Sequence, residues 1–338
     1  MAALAQAPAS LYLPDGAVAD GQYVGAVADP KLRLPWLVGA LRQKQWQYVS
    51  LVTEHHLVAL AVVQLRYVAN CFVYAVDLRD PQRLWQTEAL SPLGLAAHFA
   101  TNSTQGQTTW RAGTTHVALT ATADGWAVQL AALLQDGQGQ KRRLHGSAQL
   151  VAGQPLSLVH RLPTGRAAYT RKDAGLRATM ALQLGDDPIA GEALATSDWT
   201  QAHAQRVTRW NWASFVVRLA DGRRLGSNLS ALVYDDANGH GRENALWIDD
   251  AVHVLGGVRF SLPADPVTQP WHVQSATDGA VDLRFVPLGA RRQNVNFGLI
   301  SSQFVQPYGL FSGSVRVATE VIAVDGAIGV VEDHFAKW

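Results

Sequence analysis

Glu332 and His334 stand two residues apart in the closing run Gly329-Val330-Val331-Glu332-Asp333-His334-Phe335-Ala336-Lys337-Trp338. In a strand, side chains alternate between faces, so Glu332 and His334 share one face and Asp333 takes the other. The apolar residues from Ile328 to Val331 predict that this strand is buried. A carboxyl buried without a partner rises in pKa, the condition in which it can donate a proton near neutral pH. The rival role for Glu332 is an ion pair with an arginine such as Arg209 or Arg171. His334 is placed to tune Glu332 or to relay a proton. Asp198, heading Asp198-Trp199-Thr200, is a second candidate for proton transfer, or else a turn residue that caps local backbone amides. His203 lies close by in sequence, but a lone histidine reads as structural or exposed.

Tryptophans gather around these acids. In Arg209-Trp210-Asn211-Trp212-Ala213, Trp210 and Trp212 share one strand face and Arg209 and Asn211 the other. Either the tryptophans pack the core while Arg209 and Asn211 face outward, or they line a ligand cavity together with Trp199 and Trp247. In the second case Arg209 and Asn211 are candidates to hold a developing oxyanion. Glu243 and Asn244, just before Trp247, join the substrate-binding candidates.

Other chemistries lack their residues. Asp236-Ala237-Asn238-Gly239-His240-Gly241 begins like a calcium loop, but Trp247 occupies the position of the bidentate glutamate, so a polar hairpin loop is expected. His55-His56 and the scattered histidines have no metal-ligand spacing, so no metal is expected. There is no Gly-x-Ser-x-Gly elbow, phosphate-cradling loop or dinucleotide fingerprint, and no cofactor is expected.

These residues must be positioned by strands. Period-two alternation marks Trp46–Val52, Leu57–Val63, Arg66–Asp77, His116–Thr122, Trp126–Leu134 and Leu176–Leu184. It continues through Ser214–Leu219, Leu225–Val233, Val254–Phe260, Val281–Val286, Ser314–Val324 and Ala327–Asp333. Asp124-Gly125, Asp221-Gly222, Asp278-Gly279 and Asp325-Gly326 each fall between two such runs, and Asp-Gly takes the positive φ of tight hairpins cheaply. An all-β fold of antiparallel meanders follows, and parallel α/β architecture is excluded for want of crossover helices. Helix is expected only over residues 31–43, with a short turn at Pro92–Phe99. A chain of 338 residues suggests two domains. The Pro- and Gly-bearing stretch Pro155–Ala174 predicts a break giving domains 1–165 and 166–338.

Hydrophobic residues make up 48% and charged residues 16%, which suits a folded chain with a large core. A net charge of +1, with no basic run beyond Lys141-Arg142-Arg143, argues against a nucleic-acid partner. Cys71 is the only cysteine, so no intramolecular disulfide forms. Met1–Ser10 does not read as a secretory signal, and the longest apolar run, Leu57–Leu65, is too short for a membrane span, so a cytoplasmic location is expected. Oligomeric state is not legible.

Further motifs carry a family resemblance. Tyr169-Thr170-Arg171-Lys172-Asp173-Ala174-Gly175, Arg209-Trp210-Asn211-Trp212-Ala213-Ser214 and Glu243-Asn244-Ala245-Leu246-Trp247-Ile248-Asp249 come first. Asn296-Phe297-Gly298-Leu299, Gln306-Pro307-Tyr308-Gly309-Leu310-Phe311-Ser312-Gly313 and the closing run follow. Together they resemble a large family catalogued as a domain of unknown function, over roughly residues 160–338. More distantly, Asp198, then Trp210-Asn211-Trp212, then Val217-Arg218-Leu219-Ala220-Asp221-Gly222-Arg223 resemble the carotenoid 1,2-hydratase and tocopherol-cyclase-like group. The terminal Gly329-Val330-Val331-Glu332 is similar to that group's closing strand. Asn211 stands where the group has Asp, and Asp333-His334 replaces a neutral ending. The resemblance implies two lipocalin-like barrels, each spanning one of the predicted domains. It also implies a cofactor-independent acid–base enzyme that hydrates, dehydrates, cyclises or isomerises an apolar terpenoid, lipid or polycyclic molecule. Asp198 and Glu332 would then exchange protons, assisted by His334. A lipid carrier using the same cavity, or a scaffold with filled barrels, are the other readings.

Overall fold

The computed structural model describes residues 4–34, 41–296 and 300–337. Outside them lie Phe297-Gly298-Leu299, Trp338 and residues 35–40 of the expected 31–43 helix; helical backbone among the described part of that span is limited to Leu41 and Arg42. Nearly everything else regular is strand, and the Pro92–Phe99 segment is a turn at residues 93–96 between two strands rather than a helix. No helix among the described residues is long and apolar enough to cross a membrane.

The chain divides into a first unit, Ala5–Ala204, and a second from Gln205 onward. The expected break at 165/166 lies elsewhere for a local reason. The Pro/Gly-bearing stretch is a hairpin whose Leu162 N–H donates to Arg166 C=O at 2.8 Å around Gly165, at φ 76°. The Tyr169–Gly175 motif therefore belongs to the first unit.

That unit begins with β1 (Ala5–Gln6) and β2 (Gly21–Val24), whose pairing is parallel. It continues with β3 (Gln43–Val52), β4 (His56–Gln64), β5 (Val68–Asp77), β6 (Leu84–Pro92), β7 (Ala97–His98), β8 (Gln107–Ala112) and β9 (Thr115–Thr122). It ends with β10 (Gly125–Gln135), β11 (Lys141–Val151), β12 (Leu156–Arg161), β13 (Ala167–Leu184) and β14 (Asp187–His203). Hydrogen bonding runs β13-β14-β3-β4-β5-β6-β10, and β11 pairs with both β10 and β13. The path closes on itself as a ring of eight strands, the number whose interior side chains or one small ligand can fill. Val49, Leu51, Leu60, Val73, Trp126 and Trp199 face its core.

β14 has no counterpart among the expected strands. From Ala193 to His203 every residue is buried, on both faces. Polar Thr196, Ser197, Asp198, Thr200 and Gln201 thus occupy interior positions and erase the alternation that marks a half-exposed strand.

The second unit contains β15 (Val207–Arg218), β16 (Arg224–Ala231), β17 (Ala245–Ile248), β18 (Ala251–Val254) and β19 (Val258–Ser261). β20 (Trp271–Ser275), β21 (Val281–Asn296), β22 (Ser301–Val317) and β23 (Glu320–Lys337) complete it. The order β18-β17-β16-β15-β23-β22-β21-β20-β19 is an open antiparallel path, a half-barrel curled over Ala213, Phe215, Leu229, Phe285, Phe311 and Val331. Asp124-Gly125, Asp221-Gly222 and Asp278-Gly279 sit at hairpin ends as expected. Asp325-Gly326 does not: it lies within β23, where pairing jumps from Phe311↔Ala327 to Gly313↔Val324. The positive φ of Gly326, 64°, serves an in-strand irregularity. The β22–β23 turn is at Ala318-Thr319, inside the run Ser314–Val324 that reads as one strand.

Candidate active site

In the second unit, β15 lies in register with β23, so that Trp212 opposes Glu332 and Trp210 opposes His334. Ala213, Phe215 and Val331 have the other parity and enter the core. Trp210, Trp212, Glu332 and His334 therefore share the face turned away from that core, and yet Glu332 is only 8% exposed and His334 9%. Trp210 and Trp212 thus lie outside the second unit's apolar core cluster.

Both carboxyl oxygens of Glu332 accept from neutral donors. Trp210 Nε1–H donates to Oε2 at 2.9 Å, and Gln306 Nε2–H donates to Oε1 at 2.6 Å. Gln306 is completely buried, and its own Oε1 has no hydrogen-bond partner among the described residues. An acceptor in that state is costly unless something donates to it. His334 Nε2 lies 2.9 Å from Ser302 Oγ, and its ring meets Trp210 and Phe304 edge-on at 4.0 and 5.0 Å. Burial, reinforced by the positive charge of Arg291, lowers the imidazole pKa to about 3, so it is neutral at physiological pH. Arg291 is itself buried, over the Phe304 ring at 5.1 Å and in register with Gln306.

The same face continues through β16 and β17. Trp212 Nε1–H donates to Asn228 Oδ1 at 2.8 Å, and Asn228 Nδ2–H to the Glu243 carbonyl at 2.6 Å. Trp247, fully buried, pairs with Gly226 on this face. Glu243 Oε2 accepts from Ser230 Oγ at 3.4 Å. Asn244 braces the backbone: its Oδ1 accepts from Ser230 N–H and its Nδ2–H donates to Gly241 C=O, each at 2.7 Å. With both ends engaged, Asn244 fastens the chain before β17.

Arg209 and Asn211 fall on the opposite face from Glu332. Asn211 Nδ2–H donates to Asp333 Oδ1 at 3.0 Å, and the exposed Arg209 lies 4.8 Å over the Phe335 ring. Strand parity separates them from the carboxyl they were expected to assist. Arg171, offered as an ion-pair partner for Glu332, is in the first unit and binds Asp173 instead.

Asp198 is also in the first unit, in mid-strand on β14, so it caps no turn. Its Oδ2 is 2.6 Å from Lys172 Nζ, with both side chains largely buried, and it accepts from Trp46 Nε1–H at 3.2 Å. Thr200 Oγ1–H donates to Oδ1 at 2.9 Å. Trp199 points the other way, into the ring's core. His203 is buried, and burial lowers its pKa. The Asp236 loop is the expected polar hairpin: Asp236 Oδ1 accepts from the Asn238 and His240 amides, and no group of metal-ligating residues occurs among the described residues. Gln306, Ser302, Phe304, Arg291 and Asn228 received no role from sequence. Gln306 stood inside a quoted motif, but only the β22–β23 register brings it to Glu332.

Fold and site together define a nearly all-β, lipocalin-like protein with a buried carboxyl–imidazole pair on the back of its second sheet. Solved structures are similar to the chain to different degrees. An AttH-type protein from Nitrosomonas europaea is similar at TM-score 0.54 and 14% identity, over 87% of this chain and 92% of that one. CghA, solved with Sch210972, is similar at TM-score 0.51 and 12% identity over 88% of each chain. Kievitone hydratase from Nectria haematococca gives TM-score 0.44 and 9% identity over 89% of this chain and 90% of that one. No curated protein sequence matches the chain. The chain belongs to the family described as Domain of unknown function (DUF2804), which it matches over residues 3–338.

Proposed function

We propose that this protein is an acid–base enzyme, needing no cofactor, that adds or removes water, closes a ring or shifts a double bond in a largely apolar small molecule. The observation that carries the reading is Glu332, bonded by two N–H donors beside an amide oxygen, Gln306 Oε1, that has none. N–H donors on both oxygens suit the carboxylate, which makes Glu332 the general base. Gln306 Oε1 is suited to accept one hydrogen of a water whose other proton Glu332 takes. Neutral His334, with Ser302 on its Nε2, serves as a relay and not as a fixed cation. Trp210, Trp212 and Trp247 supply apolar walls. That the CghA structure holds Sch210972 supports ligand binding on this fold. Asp198, tied to Lys172, fits a structural ion pair better than a proton donor.

The test is proton exchange. Terpenoid-sized unsaturated ketones incubated with the protein in heavy water should gain deuterium or the elements of water, followed by NMR. Glu332→Gln keeps the shape and should slow this roughly 10²–10⁴-fold while ligand still quenches tryptophan emission. Undiminished turnover in Glu332→Gln rejects the assignment. The same indole walls also suit a lipid carrier, and quenching by the parent protein with no exchange on any ketone would favour that reading.

A further inference from the structure

A turn between strands is ordinarily built from Gly, Pro, Asn, Asp or Ser, whose backbones suit it. The β6–β7 turn instead reads Leu93-Gly94-Leu95-Ala96 after Pro92. Leu93 is 71% exposed and Leu95 83%, the two barest large apolar side chains among the described residues. Leu93 is also held at φ 56°, in the left-handed region where glycine or asparagine costs less. A leucine there strains the backbone and bares its side chain to water, and the turn requires neither.

Hydrogen bonds stitch this turn to its neighbours at one end of the ring. Leu93 N–H donates to Tyr67 C=O at 2.9 Å, and Gln64 Nε2–H to Gly94 C=O at 3.0 Å. The β4–β5 turn, Leu65-Arg66-Tyr67, thus lies against it, with exposed Arg66 likewise left-handed at φ 78°. Lys44 Nζ ties in the start of β3, donating to Leu41 C=O at 2.8 Å and to Leu65 C=O at 3.0 Å. That brings Leu41, 62% exposed, and exposed Arg42 alongside. On the other side, exposed Arg111 donates its backbone N–H to Ala96 C=O at 2.9 Å. The charge at this end has one sign. The segments that contribute to it, 41–53, 55–76 and 89–123, carry Arg42, Lys44, Arg66 and Arg111 and not one Asp or Glu. Glu88, at the border on β6, accepts from Asn70 Nδ2–H at 2.5 Å.

We propose that this end of the first unit docks on an anionic lipid surface, with Leu93 and Leu95 below the headgroups and Arg42, Arg66 and Arg111 on the lipid phosphates. Bare leucines among cations match the two layers of such a surface, acyl chains beneath and negative charge above. A second copy of the chain fits less well. A two-fold contact sets one patch against itself, here arginine against arginine with no carboxylate between them. The docking goes beyond the proposed reaction and does not depend on Glu332.

Cosedimentation of the full chain with vesicles is the test, using equal parts phosphatidylserine and phosphatidylcholine, or phosphatidylcholine alone. The parent should pellet with the anionic vesicles, stay in solution with the neutral ones, and be released by added salt, which screens surface charge. Leu93→Gly, which relieves the strained φ, combined with Leu95→Ser should weaken binding at least about tenfold, while the melting temperature holds. Arg66→Gln should weaken it about fivefold, the loss of one cation at the surface. The proposal is overturned if the parent stays in solution with anionic vesicles, if phosphatidylcholine alone holds it equally, or if the double leucine variant pellets like the parent. A parent dimer that the leucine variant dissociates, read by sedimentation equilibrium without vesicles, would also overturn it, since the face would then join two copies.

Discussion

Replacing Asp198 by Asn separates a structural carboxylate from a catalytic one. Lys172 Nζ sits 2.6 Å from Asp198 Oδ2, with side-chain exposures of 6% and 10%, and Trp46 Nε1–H donates to the same oxygen. An amide oxygen in the place of Oδ2 keeps both donors, and the NH₂ then faces the Thr200 hydroxyl, which donated to Oδ1 and must turn to accept. What the substitution removes is the negative charge opposite Lys172. At an effective dielectric constant of about 20, two unit charges roughly 4 Å apart attract by about 4 kcal/mol. Deleting one charge of a buried pair costs about 3–5 kcal/mol, because the survivor stays buried. In a unit the size of Ala5–Ala204 each kcal/mol moves the melting point by roughly 2–4 °C, so Asp198→Asn should melt roughly 6–20 °C below the parent. Lys172→Met should cost a comparable amount. The double variant, with no stranded charge, should melt above Asp198→Asn alone, and calorimetry of the four proteins closes the cycle. A melting point for Asp198→Asn within about 1 °C of the parent, equivalent to the ordinary scatter of surface substitutions, would refute the ion-pair argument.

His334 has its pKa lowered, so the unfolded chain binds a proton there before the folded protein does, and stability falls as pH drops from 6.5 toward about 3. His334→Gln should flatten that part of the stability curve in urea titrations, and the His334 imidazole should show no NMR titration above pH 5. Trp210→Phe removes one donor to Glu332 while keeping an aromatic wall, and should lower kcat about tenfold with little change in ligand affinity, read from steady-state rates on a substrate found by the exchange screen. A Cβ on Gly329 would stand 2.2 Å from the Ser214 carbonyl oxygen and 2.7 Å from Phe215 Cα. Gly329→Ala should therefore force β23 away from β15 and cost about 1–3 kcal/mol in denaturant titration.

Strand-rich antiparallel architecture was legible because Asp-Gly pairs and alternation are local signals. Asp325-Gly326 shows where that signal is ambiguous, since the same φ serves a hairpin tip or an irregularity inside a long strand. β14 was not legible. A strand buried on both faces with Thr, Ser, Asp and Gln inside has neither the alternation nor the apolar run by which strands are recognised. That omission made Asp198 resemble a turn residue and moved the domain break forward. In the site, period-two spacing put Glu332 and His334 together and Asp333 opposite, as found. Which of the two faces meets the core depends on β16 and β22, whose register no single segment encodes. Gln306 and Ser302 arrive from 26 and 32 residues away in sequence, and Arg291 from further still, so only the sheet reveals them.

The closure of the eight-stranded ring has a consequence for its moving parts. Its seams are ladders of many residue pairs, except that between β6 and β10, where Gln86↔Gln135 is the single pair. Next to it Arg83 bonds Asp136 at 2.8 Å and Gln140 at 2.7 Å, a clasp just outside the two strand ends. A cylinder with one such join opens there first, because separating β6 from β10 breaks far fewer backbone bonds than any other parting. Amides of β6 near Gln86 should thus exchange with solvent much faster than those of β4 or β13. The join would act as a door hinged on β5 and β11, with Arg83 as its latch, and its rate of opening would set how quickly anything enters or leaves the interior.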